Sequence, residues 1–366
     1  MKLFKSLLVA PATIGLLAPL AATANEVTIN DFNPAEELAV TNSRVDGLEA
    51  RLNEVEAGSF SETTTASFST DFYLGSEDTE DGVADDSVMG TYSFQIDLNT
   101  SFTGEDSLDI SLDAGNSGAA GTAMFDGNGG GDGLAVDGVA YTFPVGGATV
   151  FVGDNSDGSA LYTTACVYGG PSNTLDDCGN VNSGFTGGEV AAGASYDFGN
   201  GFTAATGMQT SSTGVFTEES LDSYGLNAAY TGSNYAVSLT YGITETSATE
   251  ENAATAIQAY YTPEGFPSIS VGYEVTDIGG AAAASDEMES IFLGLTWDEV
   301  GPGSAGVAVG YSNVVENTDE EYMYEAYYSY PVNDGMTITP LVFLKEEADA
   351  GVSDTTGVMV KTSFAF

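Results

Sequence analysis

From Phe60 onward the chain reads as one short alternating run after another. "TYSFQIDLNT" sets Tyr92, Phe94, Ile96 and Leu98 against Ser93, Gln95, Asp97 and Asn99. "SLDISLDA" opposes Leu108, Ile110 and Leu112 to Asp109, Ser111 and Asp113. "NYAVSLTYG" opposes Tyr235, Val237, Leu239 and Tyr241 to Ala236, Ser238, Thr240 and Gly242, and "EYMYEAYYSY" puts Tyr322, Tyr324, Tyr328 and Tyr330 on one side. A period of two is that of a β-strand between two unlike environments. About sixteen such runs are expected. They start near Ala66, Thr91, Ser107, Leu134, Ala148, Glu189, Phe202 and Asp222, then Asn234, Ala253, Ser268, Met288, Ser304, Glu321, Met336 and Thr355.

The connections alternate between short and long. The short ones are 103–106, 144–147, 199–201, 231–233, 262–267, 301–303 and 332–335. The long ones are 75–90, 114–133 and 153–188, with 211–221, 244–252, 276–287, 313–320 and 345–354 more modest. Tight turns at one end and long acidic loops at the other are the pattern of a transmembrane, antiparallel, up-and-down β-barrel. The fold class is therefore all-β. The chain runs out on "VKTSFAF", with Val358, Val360, Phe364 and Phe366 on one face and Lys361, Ser363 and Ala365 on the other. Pairing of this last strand with the first, near 66–74, closes the edge. Aromatics gather near strand ends: Phe72-Tyr73, Tyr92, Phe102, Phe143, Phe198, Phe202, Tyr230, Tyr235, Tyr260-Tyr261, Trp297 and Tyr328. Amphipathic rings at those places suit two membrane–water interfaces.

Ahead of the barrel (59–366) the pattern differs. Lys2 and Lys5, an apolar stretch from Leu7 to Leu20 and the small residues around Ala22-Thr23-Ala24 read as a signal peptide, 1–24. Within 25–58, Asn33 and Pro34 open an amphipathic helix whose Leu38, Val45, Leu48, Leu52 and Val55 fall on heptad a and d positions, with Thr41 as a polar d. It extends roughly 36 Å. Packing on the main domain, a trimeric stalk and a periplasmic plug all remain open for it.

Composition sharpens this picture. There are 54 acidic residues against 6 basic ones, no histidine, and a formal charge of −48. Such a chain repels nucleic acid and suits cations. With 42% hydrophobic residues it is too apolar to be an acidic disordered chain, so charge and apolar surface are segregated. Without a histidine, imidazole-based catalysis and haem or zinc ligation by imidazole are excluded, and no enzyme activity is expected. The two cysteines, Cys166 and Cys178, fit an oxidising compartment and one disulfide.

The terminal Phe364 and Phe366 resemble the C-terminal signature of bacterial outer-membrane proteins. "RVDGLEARLNEVEAGSFSETTTASFS" (44–69) is similar to the junction in cyanobacterial outer-membrane porins of the Som type, related to carbohydrate-selective OprB-type porins. In that family a short heptad helix leads into a Thr/Ser-rich first strand. Its members usually carry a surface-layer-homology domain ahead of the helix. Here only a short mature tail precedes Asn33, so tethering to peptidoglycan is not expected. The resemblance implies a homotrimer in outer-membrane lipid and lipopolysaccharide, assembled by the barrel assembly machinery, passing ions and small hydrophilic solutes. It also implies that the third long loop, 153–185, folds inward. Asp154, Asp157, Asp176 and Asp177 would then form an acidic constriction; otherwise they face water on a disulfide-stiffened surface loop.

Alternation itself turns Asp97, Asp109, Asp113, Glu274 and Glu325 inward, with Lys361 the main basic candidate. A carboxylate-rich lumen prefers cations. The segments 76–86 and 126–138 read as solvated external loops with calcium or magnesium as diffuse counterions, and no structural metal or cofactor is expected. Two rival readings stay beside the porin. One is a structural or adhesive barrel blocked by Tyr327, Phe292 or the 25–57 helix. The other is a secreted β-protein that binds calcium or glycans.

Overall fold

The computed structural model describes residues 63–79, 87–117, 124–215, 217, 220–280, 286–316, 318–347 and 354–366. The leader and the heptad Leu38, Val45, Leu48, Leu52 and Val55 lie outside the described residues. Contacts divide the chain into Met1–Ser59 and Phe60–Phe366.

The second unit is a closed barrel of sixteen strands, each antiparallel to its neighbours in sequence, with the last paired to the first. The strands are β1 (Thr64–Thr79), β2 (Met89–Thr100), β3 (Ser107–Gly115), β4 (Ala135–Val145), β5 (Ala148–Asp154) and β6 (Val190–Gly199). There follow β7 (Phe202–Thr210), β8 (Asp222–Thr231), β9 (Tyr235–Ser247), β10 (Glu250–Tyr261) and β11 (Ser268–Asp277). The circuit ends with β12 (Glu287–Val300), β13 (Gly303–Val315), β14 (Met323–Asn333), β15 (Met336–Lys345) and β16 (Thr355–Ala365). Every run expected from alternation becomes a strand, starting within three residues of the expected position.

The seam pairs Ser69 with Ala365 and Tyr73 with Lys361. The terminal residue is part of it: the Phe366 amide donates to the Phe68 carbonyl at 3.0 Å, and the two rings stack 5.7 Å apart. Phe364 meets Phe72 edge-on at 6.1 Å. A barrel leaves no free sheet edge, which is why the pattern must run to the last residue.

The outside is apolar. Leu226, Leu239, Ile257, Val271, Leu293, Val307, Tyr324, Val342 and Val358 are exposed on the successive strands β8 to β16, forming a belt. At the short-turn end Tyr196–Phe198, Phe202–Tyr230 and Tyr230–Tyr235 make a chain of ring contacts at 4.6 to 5.7 Å. At the long-loop end Tyr273 donates to Glu289 and Tyr324 to Glu346, so the hydroxyls face polar groups. Two of the aromatics expected in these belts point the other way. Tyr73 is buried inside the barrel, and Tyr260 shares the inner face of Gln258. Single residues in an aromatic pair alternate sides, so each pair supplies only one outward ring.

Two loop expectations also change. The modest loop expected at 244–252 is a tight connection, because β9 and β10 pair out to Ser247 and Glu250. The segment 76–86 contributes Ser76–Thr79 to β1.

Candidate functional site

The span between β5 and β6, residues 155–189, turns into the barrel and lies across the inner wall. Its backbone is caught by short polar side chains of one strand after another. The Thr163 amide donates to Asn227 Oδ1 at 2.9 Å, and Asn227 Nδ2 returns a bond to the Thr163 carbonyl at 3.1 Å. The Ala165 amide donates to Ser238 Oγ at 3.0 Å and the Val167 amide to Ser270 Oγ at 3.1 Å. Gln258 Nε2 donates to the Cys178 carbonyl at 3.2 Å. These pairings satisfy the orphan backbone groups of an irregular segment away from bulk water. Two inner-face positions must be glycine for the loop to lie so close. A Cβ on Gly207 would stand 1.9 Å from the Gly158 carbonyl oxygen, and one on Gly272 1.9 Å from that of Cys178.

Two carboxylates anchor this covering. Glu274 on β11 accepts from the Asn182 amide at 2.8 Å, from the Ser183 amide at 2.9 Å and from Asn182 Nδ2 at 2.9 Å. Glu325 on β14 accepts from Tyr168 Oη at 2.7 Å, from Thr174 Oγ1 at 3.4 Å and from the Ser172 hydroxyl. Burial and then Glu325 push the Tyr168 phenol upward, so it stays a donor. Glu274 is 0% exposed and Glu325 3%. Alternation turns both inward, as the sequence indicates, but they lie beneath the loop and do not line open water. Each charge is compensated by donors from a segment more than 90 residues away in sequence, a pairing that no local pattern reveals.

Cys166 and Cys178 form a disulfide with Cα atoms 6.4 Å apart. Cys178, Tyr168, Leu175, Phe292, Ala308 and Met323 make an apolar cluster, with Cys166 and Tyr327 against it. Phe292 and Tyr327 are thus lumen-side, and they serve as the seat on which the loop rests. Asp176 and Asp177 stand beside the disulfide on a cavity of about 510 Å³. Both are exposed to that cavity, with protein crowding around them. Burial, then Asp176 and Glu274, push the Asp177 carboxyl up to about 6. Burial and then Asp126 raise that of Asp176.

The opposite wall is left open. Asp97, Asp113 and Asp157 all lie within electrostatic reach of Asp137 on β4, and Asp109 joins Asp137 and Asp157 around a cavity of about 310 Å³. Neutral donors hold them: Gln95 and Ser111 each reach Asp97 Oδ1 at 2.8 Å, Ser107 reaches Asp109 at 2.7 Å, and the Gly187 amide reaches Asp157 at 2.9 Å. Of the four loop aspartates, Asp157 and the Asp176–Asp177 pair face the lumen. Asp154 instead carries the outer-face parity of Val150 and Val152 at the end of β5, so it stands apart from the other three.

A second loop also enters the barrel. In the β3–β4 connection Phe125 is buried against Tyr73, Leu341, Phe343 and Met359. Asp126 lines a cavity of about 230 Å³ with Asp71, Tyr73, Gln95 and Lys361. The expectation that 126–138 is wholly external is therefore corrected. The signal available was Phe125 itself, an aromatic in a Gly/Asp-rich stretch. Asp71, Asp126 and Asp137 were missed as lumen groups: the first lies within the first run, where serine and threonine on both faces blur the alternation, and the others sit beside an irregular turn and a bulge.

No protein-family model and no curated protein sequence matches this chain. Solved structures do share its shape. It is similar to Pseudomonas putida OprB, with 13% identity, 83% of this chain and 94% of that one covered, and a TM-score of 0.59. It is similar to the anion-selective porin from Comamonas acidovorans, with 14% identity, 83% and 99% covered, and a TM-score of 0.61. OmpT of Vibrio cholerae, in a loop-deletion form, matches at 12% identity, 83% and 100% covered, with a TM-score of 0.58. At such identity the likeness establishes the barrel fold.

Proposed function

We propose that the chain is a bacterial outer-membrane porin through which ions and small hydrophilic solutes diffuse passively, with a preference for cations. The observation that carries the reading is the division of the lumen. One arc is packed under the inward loop, while the other keeps Asp109, Asp137 and Asp157 around an open cavity, with Asp97 and Asp113 within electrostatic reach of Asp137. Carboxylates in a low-dielectric channel concentrate cations and exclude anions. The apolar exterior with its aromatic ends supports a place in lipid, with lipopolysaccharide against the outer leaflet. The fold alone does not fix ion preference: a barrel of similar shape carries the description anion-selective.

A homotrimer completes this reading. β5 has 7 residues and β12 has 14. At ~3.3 Å per residue and a tilt near 40°, β5 gives only about 18 Å of wall against an apolar band of about 25 Å. Ala192, Ala194 and Thr206 leave a shallow apolar hollow of about 420 Å³ beside it, which favours protein over lipid as neighbour. The terminal strand with Phe364 and Phe366 is what the barrel assembly machinery would read.

The test is to add the refolded mature chain to a planar bilayer under a salt gradient. Unit steps whose reversal potential favours cations support the reading. Anion-favouring steps keep the pore and remove the role given to the open-arc carboxylates. A folded barrel that never conducts puts the adhesive reading first, with the two inward loops as its plug.

A further inference from the structure

Lys361 and Lys345 are the basic residues among those described, and Lys345 is held by Glu347 at 2.8 Å. Lys361 stands inside, at the β1–β16 seam, as the register partner of Tyr73. Its Nζ lies 3.4 Å from Asp71 Oδ2 and 3.9 Å from Asp126 Oδ2, and 5.2 Å from the centre of the Tyr73 ring. Asp71 belongs to the wall and Asp126 to the β3–β4 loop, so one ammonium bridges the two.

That bridge extends further. The Tyr73 hydroxyl donates to the Asp126 carbonyl, and its ring stacks on Phe125 at 6.3 Å with an 18° interplanar angle. Phe125 forms an isolated β-bridge with Ser172, at the tip of the β5–β6 loop. The Asn173 amide donates to the Met124 carbonyl at 3.1 Å. Ser172 in turn holds Glu325 on β14. The two inward loops are thus joined tip to tip, forming one shelf from the seam to β14.

We propose that Lys361 is the latch of this shelf: it holds the β3–β4 loop inward and thereby positions the β5–β6 loop, so that it sets the size of the opening as well as its charge. The inference rests on the porin reading. Its physical basis is that Asp71 and Asp126 face each other with one cation between them. Without it, two carboxylates in a confined, acid-rich space repel, and the loop tip is the movable partner. A lysine that merely offset charge would not need to touch both the wall and the loop.

Two substitutions of opposite charge sign separate latch from charge. Lys361→Gln removes a positive charge and Asp126→Ala a negative one. Acting through charge alone, they shift cation preference in opposite directions, and neither alters the unit step in 1 M salt, where fields reach only ~3 Å. Acting through the latch, both enlarge that step by about 1.5-fold or more, a difference salt does not remove, since screening acts on fields and not on aperture. Lys361→Arg keeps the wild-type step.

Hydrogen exchange of the refolded protein in detergent reads the same event without conduction. The amides of Met124, Asn128 and Asn173 should exchange faster in Lys361→Gln, with those of β10–β12 unchanged. Unchanged exchange and an unchanged step in 1 M salt overturn the latch. A wild-type protein that does not conduct sinks the porin reading, and exchange still judges the latch. Should Lys361→Gln weaken the seam, Asp126→Ala lies outside the strands and carries the test.

Discussion

The arc from β7 to β14 and the arc from β1 to β5 use the same inward carboxylates for different ends. On the first, Glu274 and Glu325 accept hydrogen bonds from a loop and are removed from water. On the second, Asp97 and Asp109 accept hydrogen bonds from neutral side chains alone and, with Asp113, stand among the further carboxylates Asp137 and Asp157 around an open cavity. A buried carboxylate fully supplied with donors fixes structure, whereas a hydrated one projects its field into the channel. Whether a lumen acid is an anchor or a selectivity element is decided by what lies above it.

The largest effect should come from forcing the covered arc open. Gly272→Val places side-chain carbon where the Cys178 carbonyl lies, an overlap that neither strand nor disulfide-bound loop can absorb. The loop should lift, and the single-channel step should rise several-fold. Gly90→Ala is the control, because its nearest neighbour is 3.8 Å away. A wild-type step in Gly272→Val would show that the loop does not limit flow.

Next come the anchors. Glu274→Leu strands the Asn182 and Ser183 amides, and Glu325→Leu strands the Tyr168 hydroxyl and leaves those of Ser172 and Thr174 with only each other. Each should destabilise by about 3 kcal/mol, read from the urea midpoint of unfolding, with channel noise increased. Cation preference should hardly move. A large change in reversal potential with stability intact would collapse the distinction between the arcs.

The open-arc acids should behave in reverse. Combined Asp97, Asp109, Asp113 and Asp157→Asn should drive the cation-to-anion permeability ratio towards unity at 0.1 M salt, where fields reach ~10 Å, with far less change at 1 M. Unfolding midpoints should stay put or rise slightly as repulsion is relieved.

The smallest effect concerns pH. The Asp177 carboxyl is pushed up to about 6, so it is ionised at pH 7.5 and neutral at pH 5. Cation preference should weaken on acidification with a component centred near pH 6, absent in Asp177→Asn. The sign for stability is the opposite of a salt-bridged acid. The folded state holds this proton more tightly than the unfolded one, so the contribution is largest at low pH and is lost as pH rises through about 6. A step at pH 6 that survives in Asp177→Asn would assign it to another group.

Much of the fold was legible because the reporting environment is local. "TYSFQIDLNT" needs nothing beyond itself to show that Tyr92 and Phe94 face one medium while Ser93 and Gln95 face another, and the tight turns locate their own ends. The seam was legible from Phe364 and Phe366 for the same reason. The β9–β10 hairpin misled, because "TETSATEEN" carries loop-like polarity although both strands extend past any apolar band. The site was legible in part. Inward direction came from parity, and Lys361 stood out as a lone cation. Asp126 and Phe125 gave no periodic signal, since the irregular stretch that holds them is shaped by contacts with β1, β15 and β16.

The sequence by itself determined the number of strands, their faces, the alternation of short and long connections and an acid-rich interior, because each follows from side-chain periodicity and composition along a few successive residues. Only the tertiary structure decided which carboxylates meet water. That choice rests on partners such as Tyr168 and Glu325, 157 positions apart, or Asn182 and Glu274, 92 apart. They come together when the barrel closes around a loop that carries their donors, and hydrogen bonding and desolvation act through that closeness in space, which periodicity along the chain does not record.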